Sequence, residues 1–177
     1  MKDATTIEAY GHLSEPTTLT MQRLLPGPVA RVWAWLTESE LRAKWLAAGE
    51  MPMSAGADFT LTWRNDELTD PPGVRPDGMS EVSTGQCRVL EADPPTHLRF
   101  EWGGMGEVTF DLKPVGEKVL LTLTHAGLVG RSRVLGVSAG WHAHVDVMEA
   151  KLTGAKPKPH WDNWRALREV YAARLPE

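Results

Sequence analysis

The chain has 177 residues, of which 42% are hydrophobic and 24% are charged, as in an ordinary globular domain. Its formal net charge is −4, and no basic tract is longer than Lys156-Pro157-Lys158, which disfavours binding to nucleic-acid phosphates. Cys87 is the single cysteine, so an internal disulfide is excluded, and no apolar run approaches the ~18 residues of a membrane span. We therefore expect one soluble, cytoplasmic domain with no nucleic-acid partner.

The first predicted element is a strand over residues 17–25. Leu19, Met21 and Arg23 fall on one face and polar residues on the other, which is the alternation of a half-buried strand. Arg23 is a cation on this otherwise apolar face, and a buried cation needs a carboxylate partner or backbone carbonyls. By parity, Glu91 is one candidate for that partner.

A short helix is predicted after the Pro-Gly-Pro that ends this strand. Pro28 suits the first helical position, where a missing N–H costs nothing. Apolar residues then recur at helical spacing and place Trp33 on a buried stripe. Trp35 points to a different face, where Arg31, one turn back, is placed to stack on its ring.

A second short helix is predicted from a capping box. Thr37 and Glu40 have the spacing that satisfies the first backbone N–H groups reciprocally. Leu41 and Trp45 then lie one turn apart on the inner edge of that helix. The clustered tryptophans therefore belong to separate faces and do not form one nucleic-acid-binding surface.

From residue 58 onward the hydrophobic period changes to two. Short strands joined by turns predict an antiparallel meander with one buried face. The predicted strands cover residues 58–65, 85–92, 97–102, 108–114 and 118–125. Residues 66–80 are rich in Pro and Gly and predict a long, mobile loop.

The last third of the chain is predicted to be helical. Apolar residues at spacings of three and four predict a long helix over residues 134–152, and Gly154 is a plausible residue to end it. A stiff linker and a shorter helix over residues 160–175 follow. Strands in a run followed by helices indicate an α+β fold rather than a doubly wound sheet.

Several short segments, taken in order, resemble a known superfamily. They are R-x-L-P-G-P-x-x-x-V-W-x-x-L-T-x-x-x-L-R-x-x-W-L (23–46), G-x-x-F (56–59), V-L-E-x-x-P-P-x-x-L-x-F-x-W (89–102), L-L-T-L-T-H (120–125) and G-W (140–141). Their order is similar to the SRPBCC, or START-like, superfamily, in the branch that resembles the C-terminal domain of the activators of heat-shock protein 90 ATPase. The resemblance spans residues 17–152.

This resemblance implies an α+β helix-grip fold. In that fold a curved antiparallel β-sheet wraps around a long C-terminal α-helix, with two short helices after the first strand and a cavity between sheet and long helix. It divides the chain into a polar N-terminal segment (1–16), a START-like domain (17–154) and a linker with an extra C-terminal helix (155–177). That last helix is expected to cap the fold or to form a homodimer contact.

The resemblance also implies that inward-facing side chains line the cavity. Such a space suits a mostly apolar, aromatic or lipid-like ligand. The alternative is that the same residues fill the space themselves, because large aromatic side chains commonly just pack. The expected ligand-binding residues are Phe59, Leu61, Trp63, Leu98, Phe100, Trp102, Phe110, Leu121, Leu123, His125, Trp141, His144, Val145 and Met148, with Val108 on the same face.

One motif suggests a different chemistry. Residues 136–140 read G-V-S-A-G and match the nucleophile elbow of α/β-hydrolases, with His160 and Asp146 or Asp162 in order behind Ser138. That motif requires a buried strand directly before the serine, whereas G-R-S-R-V-L precedes it here. We therefore expect no catalytic residue at Ser138.

The histidines are interpreted as structural. His142 and His144 lie two residues apart on a helix, so their rings point about 200° apart and cannot chelate one metal. His142 and Asp146 are expected to form a surface pair, and His144 to meet His125 inside the cavity. A hydrogen-bonded core histidine is favoured over a ligand-binding or acid–base role. Cys87 is expected to be a small core residue, and no cofactor or metal is expected, since no phosphate loop, dinucleotide motif or metal-ligand spacing is present.

The favoured function is the binding of a small hydrophobic or aromatic ligand. One alternative is a START-like enzyme of the cyclase or hydrolase kind, with His125, His144 and Arg23 as its polar groups. A second alternative is a chaperone-interaction module, which the resemblance to the Hsp90 activators suggests. Fold alone does not decide between these functions.

Overall fold

The computed structural model describes residues 7–177, so the first six residues of the predicted polar segment lie outside the described residues. The described chain forms one antiparallel sheet, in the order β1-β2-β7-β6-β5-β4-β3, with helices packed on one face. Its elements are β1 (His12–Glu15), β2 (Thr18–Pro26), α1 (Val29–Thr37), α2 (Ser39–Arg42), β3 (Asp58–Trp63), β4 (Ser83–Asp93), β5 (His97–Trp102), β6 (Gly106–Val115), β7 (Lys118–Ala126), α3 (Arg131–Thr153) and α4 (His160–Arg174).

The sheet grips the long helix α3 as the helix-grip prediction requires. Alternate residues of β5, β6 and β7 are buried, as period two demands. Phe110 of β6 meets Trp141 of α3 edge-on, with ring centroids 5.9 Å apart. The predicted α+β helix-grip architecture is therefore confirmed.

Helix α4 covers the side of α3 that faces away from the sheet. The buried residues of α4 include Trp161, Leu167 and Tyr171, which fall on one side of the helix. The Tyr171 hydroxyl accepts a hydrogen bond from the backbone N–H of Gly11 (2.8 Å) and lies 2.8 Å from Nδ1 of His142. The apolar face of α4 is thus used within its own chain, where it closes the fold.

The turn between α1 and α2 differs from the predicted capping box. Thr37 is the last residue of α1, and its hydroxyl donates to the Trp33 carbonyl at 2.8 Å instead of capping the next helix. Glu38 occupies the N-cap position of α2, which is only four residues long. Trp45 lies beyond this helix, and its indole N–H donates to the Trp35 carbonyl at 2.7 Å.

Arg42 explains how the chain turns so tightly after α2. Its fully buried guanidinium donates to the carbonyls of Leu36, Thr37, Ala47 and Gly49. Burial lowers its pKa to about 10. A guanidinium presents several N–H donors in a fixed, planar arrangement, so this one side chain can donate hydrogen bonds to carbonyls on both sides of the turn.

Two predicted contacts of basic residues are corrected by the structure. Lys44, not Arg31, lies over the Trp35 ring, with its Nζ 5.7 Å from the ring centroid. Arg31 donates instead to the Leu152 carbonyl at 3.2 Å. Sequence spacing within one helix could not show that these residues meet partners from other segments.

Arg23 also has different partners from the one predicted. Its Nη1 lies 2.8 Å from a carboxylate oxygen of Asp146 and 2.8 Å from one of Glu149, both on α3. Glu91 was the wrong candidate, because it lies among His97 and Arg99 instead. The buried cation therefore joins β2 to the long helix.

The long Pro- and Gly-rich loop is attached to α4. The N–H groups of His160 and Trp161 donate to the Thr69 hydroxyl (2.9 Å) and the Pro72 carbonyl (2.9 Å). The Trp161 indole N–H donates to Asp66 at 2.6 Å. The start of α4 therefore holds the first part of this loop in place.

Candidate ligand-binding cavity

A cavity of about 620 Å³ lies where strands β3 and β5 end and strand β4 begins, beneath the middle of α3. The sheet supplies its floor, and α3 supplies its roof. Its walls are formed by Leu46, Trp63, Asn65, Ser83, Thr84, Gly85, Gln86, Trp102, Gly103, Met105, Gly136, Val137, Gly140, Trp141 and His144. We call this space the first chamber.

Two stacked tryptophans form one wall of the first chamber. The rings of Trp63 and Trp102 have centroids 4.8 Å apart and planes 19° from parallel. A Cβ added at Gly85 in β4 would lie 2.6 Å from Nε1 of Trp102 and 3.1 Å from the Trp63 ring. The glycine therefore makes room for the stacked pair.

Trp141 faces this pair from α3 and is held by His125. The indole N–H of Trp141 donates to Nδ1 of His125 at 2.9 Å, while Nε2 of His125 lies 2.6 Å from the Met105 carbonyl. Because a carbonyl only accepts, the proton of His125 sits on Nε2. Burial lowers the pKa of His125, which keeps it in the neutral form that accepts from Trp141.

His144 supplies an imidazole to the chamber wall. Its Nδ1 donates to the Trp45 carbonyl at 2.7 Å, which places the proton on Nδ1. Burial lowers the pKa of His144 to about 4, so the ring is neutral at pH 7. Its second nitrogen, Nε2, carries a lone pair and makes no hydrogen bond within residues 7–177.

Two glycines on α3 leave the part of the helix that covers the chamber with few side chains. Gly136 and Gly140 are one helical turn apart and both line the cavity. A Cβ at either position would meet only the ring of Trp164, at 4.0 and 3.9 Å. The G-V-S-A-G motif therefore provides a helix face that lacks its own side chains and is bordered by Trp164. Ser138 between the glycines is fully buried and does not line the cavity.

A second chamber of about 610 Å³ adjoins the first. The two share Asn65, Met105, Gly136, Val137, Gly140 and His144 as wall residues. The second chamber continues toward the first turn of α3 and α4, where Met79 and Val129 are exposed at its edge. Together the chambers form a groove along one side of α3.

The first chamber has no ionised side chain in its wall within the described chain. In the second chamber the only charged wall residue among residues 7–177 is Arg133, which is exposed and donates to the Gly104 carbonyl at 3.2 Å. Three indoles and a neutral imidazole dominate the first chamber. This surface favours contact with an uncharged, largely apolar molecule.

The family model for activator of Hsp90 ATPase homolog 1-like protein matches residues 26–153. The chain belongs to the activator of Hsp90 ATPase homolog 1-like family. This confirms the resemblance inferred from the ordered segments between residues 17 and 152. Comparison with curated proteins gives no match.

Three solved structures share the fold over most of this chain. A protein from Bordetella parapertussis, solved by NMR in solution, is 36% identical over 100% of this chain and 97% of its own, with a TM-score of 0.79. CalU16 from Micromonospora echinospora is 21% identical over 88% of this chain and 86% of its own, with a TM-score of 0.65. DynU16, from the dynemicin biosynthetic locus, is 21% identical over 81% of this chain and 49% of its own, with a TM-score of 0.63. At this lower identity, the last two show the shared fold.

The structure separates the predicted ligand-binding residues of this family member into two groups. Trp63, Trp102, Trp141 and His144 line the first chamber. The others are buried in the packed core behind it and do not line that chamber: Phe59, Leu61, Leu98, Phe100, Phe110, Leu121, Leu123, His125, Val145 and Met148. Aromatic side chains fill the middle of the region between the sheet and α3, and the first chamber lies at one end of that region.

Two predictions about histidines were wrong. His125 and His144 do not meet, because His125 bonds Trp141 and His144 bonds the Trp45 carbonyl, with the His144 ring beside His160 at a centroid distance of 4.7 Å. His142 does approach Asp146 (3.6 Å), but His142 is buried rather than at the surface. Its core role, with a hydrogen bond to Tyr171, agrees with the structural interpretation.

The sequence did not predict eleven other residues that line the first chamber, most of which are small or polar. They are Leu46, Asn65, Ser83, Thr84, Gly85, Gln86, Gly103, Met105, Gly136, Val137 and Gly140. A signal was available in Gly136 and Gly140, since two glycines one turn apart inside a long helix mark a face without side chains.

Cys87 behaves as the small core residue that was predicted. It is buried, and burial raises the pKa of its thiol to about 12, so the reactive thiolate is suppressed at pH 7. Within residues 7–177 no cluster of three potential metal ligands is found. Over the same residues, no helix has the length and hydropathy needed to cross a bilayer.

Proposed function

We propose that this protein binds a small, largely apolar aromatic molecule in the first chamber. The supporting observation is the wall itself, in which the stacked Trp63–Trp102 pair and Trp141 border about 620 Å³ of space without an ionised group. Ligand sites of this kind are concave, mostly apolar and carry a few placed polar groups. The family relationship and the fold shared with CalU16 and DynU16 are consistent with a ligand-binding role.

Binding requires that a flat ring can reach the indoles. At Gly136 and Gly140 helix α3 contributes no side chain of its own to that route, and the Trp164 ring lies about 4 Å from where a Cβ would stand. An aromatic ligand stacked on an indole gains favourable ring contacts in addition to burial of its surface. The apolar edge at Met79 and Val129 extends the same surface outward.

Titration with Nile red, an uncharged polycyclic dye that brightens in apolar sites, tests this proposal. We expect a saturable increase in emission with one site per chain, accompanied by quenching of tryptophan fluorescence. Gly140→Leu places a branched side chain in the chamber and should weaken binding at least about tenfold, while the fold is retained because leucine favours helix. Ala166→Leu, on the exposed side of α4, is the matched control and should bind as the wild type does.

The proposal is wrong if Nile red, naphthalene and 2-naphthol all fail to bind the folded wild-type protein. It is also wrong if Gly140→Leu and Ala166→Leu bind the dye equally well. Native mass spectrometry of freshly purified protein provides an independent check, because a ligand retained during purification would add a fixed mass that Gly140→Leu lacks.

A further inference from the structure

The polar groups in the first chamber are uncharged and are set within an aromatic wall. They belong to Asn65, Ser83, Thr84, Gln86 and His144, and no Asp, Glu, Lys or Arg is among the described wall residues. A carboxylate or ammonium group entering this space would lose water without gaining a counter-charge. The chamber therefore discriminates against ionised ligands.

His144 presents the chamber with a hydrogen-bond acceptor. The Trp45 carbonyl holds the proton of His144 on Nδ1, so Nε2 can only accept while the ring is neutral. Nε2 has no partner in the described chain, although the side chain is 7% exposed and lines both chambers. An acceptor of this kind is matched by a ligand that donates.

The aromatic wall and this acceptor lie on the same side of α3. Trp141 and His144 are three residues apart, a spacing that places them on one face of a helix. Two other polar atoms of the groove walls are also unpaired, namely Oδ1 of Asn65 and Nδ1 of His160. The groove near His144 and His160, whose ring centroids are 4.7 Å apart, therefore carries polar atoms without a partner in the described chain.

We propose that the ligand is an uncharged aromatic molecule bearing a hydroxyl or N–H group that donates to Nε2 of His144. The inference rests on the proposed binding function and specifies the ligand class for the same site. The ring contacts the indoles of Trp63, Trp102 or Trp141, and the donor group fixes its orientation. A bound ligand excludes water from Nε2, so an analogue that lacks the donor leaves this acceptor unpaired and binds less tightly.

Displacement of Nile red by three naphthalenes of matched shape tests the inference. 2-Naphthol carries the donor, 2-methoxynaphthalene keeps the oxygen but lacks the hydrogen, and 2-naphthoate is ionised at pH 7. We expect 2-naphthol to bind roughly tenfold more tightly than 2-methoxynaphthalene, as one hydrogen bond allows, and 2-naphthoate to be the weakest. Equal affinities for all three would overturn this inference and leave the binding function standing.

Variants of His144 assign the preference to Nε2. His144→Asn keeps a side-chain N–H for the Trp45 carbonyl and removes Nε2, so 2-naphthol should fall to the affinity of 2-methoxynaphthalene. His144→Gln carries a polar terminal group at the Nε2 position and should restore part of the preference. His12→Asn, at an exposed site on β1, is the control for the same substitution.

A preference for 2-naphthol that persists in His144→Asn would overturn the assignment to His144. The comparison of 2-naphthol with 2-methoxynaphthalene in the wild-type protein decides the ligand class even if a variant fails to fold. Failure of every aromatic probe to bind would instead contradict the proposed function itself.

Discussion

Trp63 and Trp102 stack with ring centroids 4.8 Å apart, and Gly85 lies against both rings on the strand between them. The stack joins β3 to β5 across β4, so it depends on the absence of a side chain on the intervening strand. It also forms the aromatic wall of the first chamber. Packing and binding are therefore coupled at this point of the sheet.

Gly85→Ala should disturb this wall. Its Cβ would lie 2.6 Å from Nε1 of Trp102, closer than real side chains approach, so the rings must separate. We expect a loss of about 1–3 kcal/mol in the free energy of unfolding, the usual cost of overpacking, together with weaker Nile red binding. Urea denaturation measures the change in stability, and titration with Nile red measures the change in binding.

Ser83→Ala is the control for this prediction. Ser83 lies two residues earlier on β4, also lines the chamber and is exposed. Its truncation should change stability by no more than about 0.5 kcal/mol. If Gly85→Ala is equally mild, the rings are not confined as the structure describes.

Arg23→Met should destabilise the joint between β2 and α3. It removes the cation that neutralises Asp146 and Glu149 and leaves both carboxylates beside an apolar side chain. We expect a loss of about 3 kcal/mol, the low end for a broken buried ion pair, because the two carboxylates are partly exposed. Chemical denaturation of the variant measures the loss.

Arg88→Met provides the matched control on the outer face of the sheet. Its partner is Asp58, and both side chains are more than half exposed, at 53% and 71%. Exposed pairs contribute little to stability because water and salt screen the two charges, so this variant should remain close to the wild type. Equal losses for the two variants would contradict a structural role specific to Arg23.

Stability should decline in acid because of buried histidines on α3 and α4. Burial lowers the pKa of His142 and of His144 to about 4 and that of His160 to about 2, whereas a histidine in the unfolded chain titrates near ~6.5. Below ~6.5 the unfolded chain therefore binds protons that the folded chain does not. Their contribution is complete above about pH 6.5 and is lost as the pH falls toward 4, with a slope of ~1.4 kcal/mol per pH unit for each proton.

Urea unfolding across this pH range, compared between two histidine variants, checks the assignment. His144→Asn should reduce the slope of the free energy of unfolding against pH by up to the contribution of one proton. His97→Asn should not, because the hydrogen bonds that the His97 ring donates to the carboxylates of Asp111 and Glu91 raise its pKa. The contribution of His97 is complete below about pH 6.5 and is lost as the pH rises through its raised pKa. An unchanged acid slope in His144→Asn would contradict a neutral, buried His144.

The strands and long helix could be predicted because their patterns are local. Alternation at Leu98 and Phe100 identifies the inner face of β5, and the spacing of Trp141 and Val145 identifies the inner face of α3. The partners of Arg23 could not be found in this way, because Asp146 lies 123 residues away and strand parity does not specify which helical turn covers a residue.

The position of the cavity was also beyond local reasoning. Phe100 and Trp102 share one face of β5, yet Phe100 lies in the packed core and Trp102 in the chamber wall. The difference arises across the sheet, where α3 presents glycines over the end of β5. The size of the side chains on the facing element decides whether an inward-facing aromatic residue is packed in the core or lines a cavity.

The two glycines of α3 give a prediction that links stability to binding. Glycine inside a helix costs about 0.5–1 kcal/mol relative to alanine, and a Cβ at Gly140 would meet Trp164 only at an ordinary contact distance of 3.9 Å. Gly140→Ala should therefore raise the free energy of unfolding by that amount while it narrows the chamber and weakens Nile red binding. Thermal denaturation and dye titration measure both changes on one sample.

Gly154→Ala tests the same substitution where glycine is needed for the backbone. Gly154 ends α3 with a φ of 79°, in the left-handed region that an L side chain rarely adopts, so alanine there should lower stability by about 1 kcal/mol and leave dye binding unchanged. A gain in the free energy of unfolding for Gly140→Ala and a loss for Gly154→Ala would show that the backbone at position 140 does not require glycine. Glycine at 140 would then be explained by the space it leaves beside the helix. If Gly140→Ala stabilises the protein without weakening the dye, the bound ring does not approach this part of α3, and the site must lie nearer the Trp63–Trp102 stack.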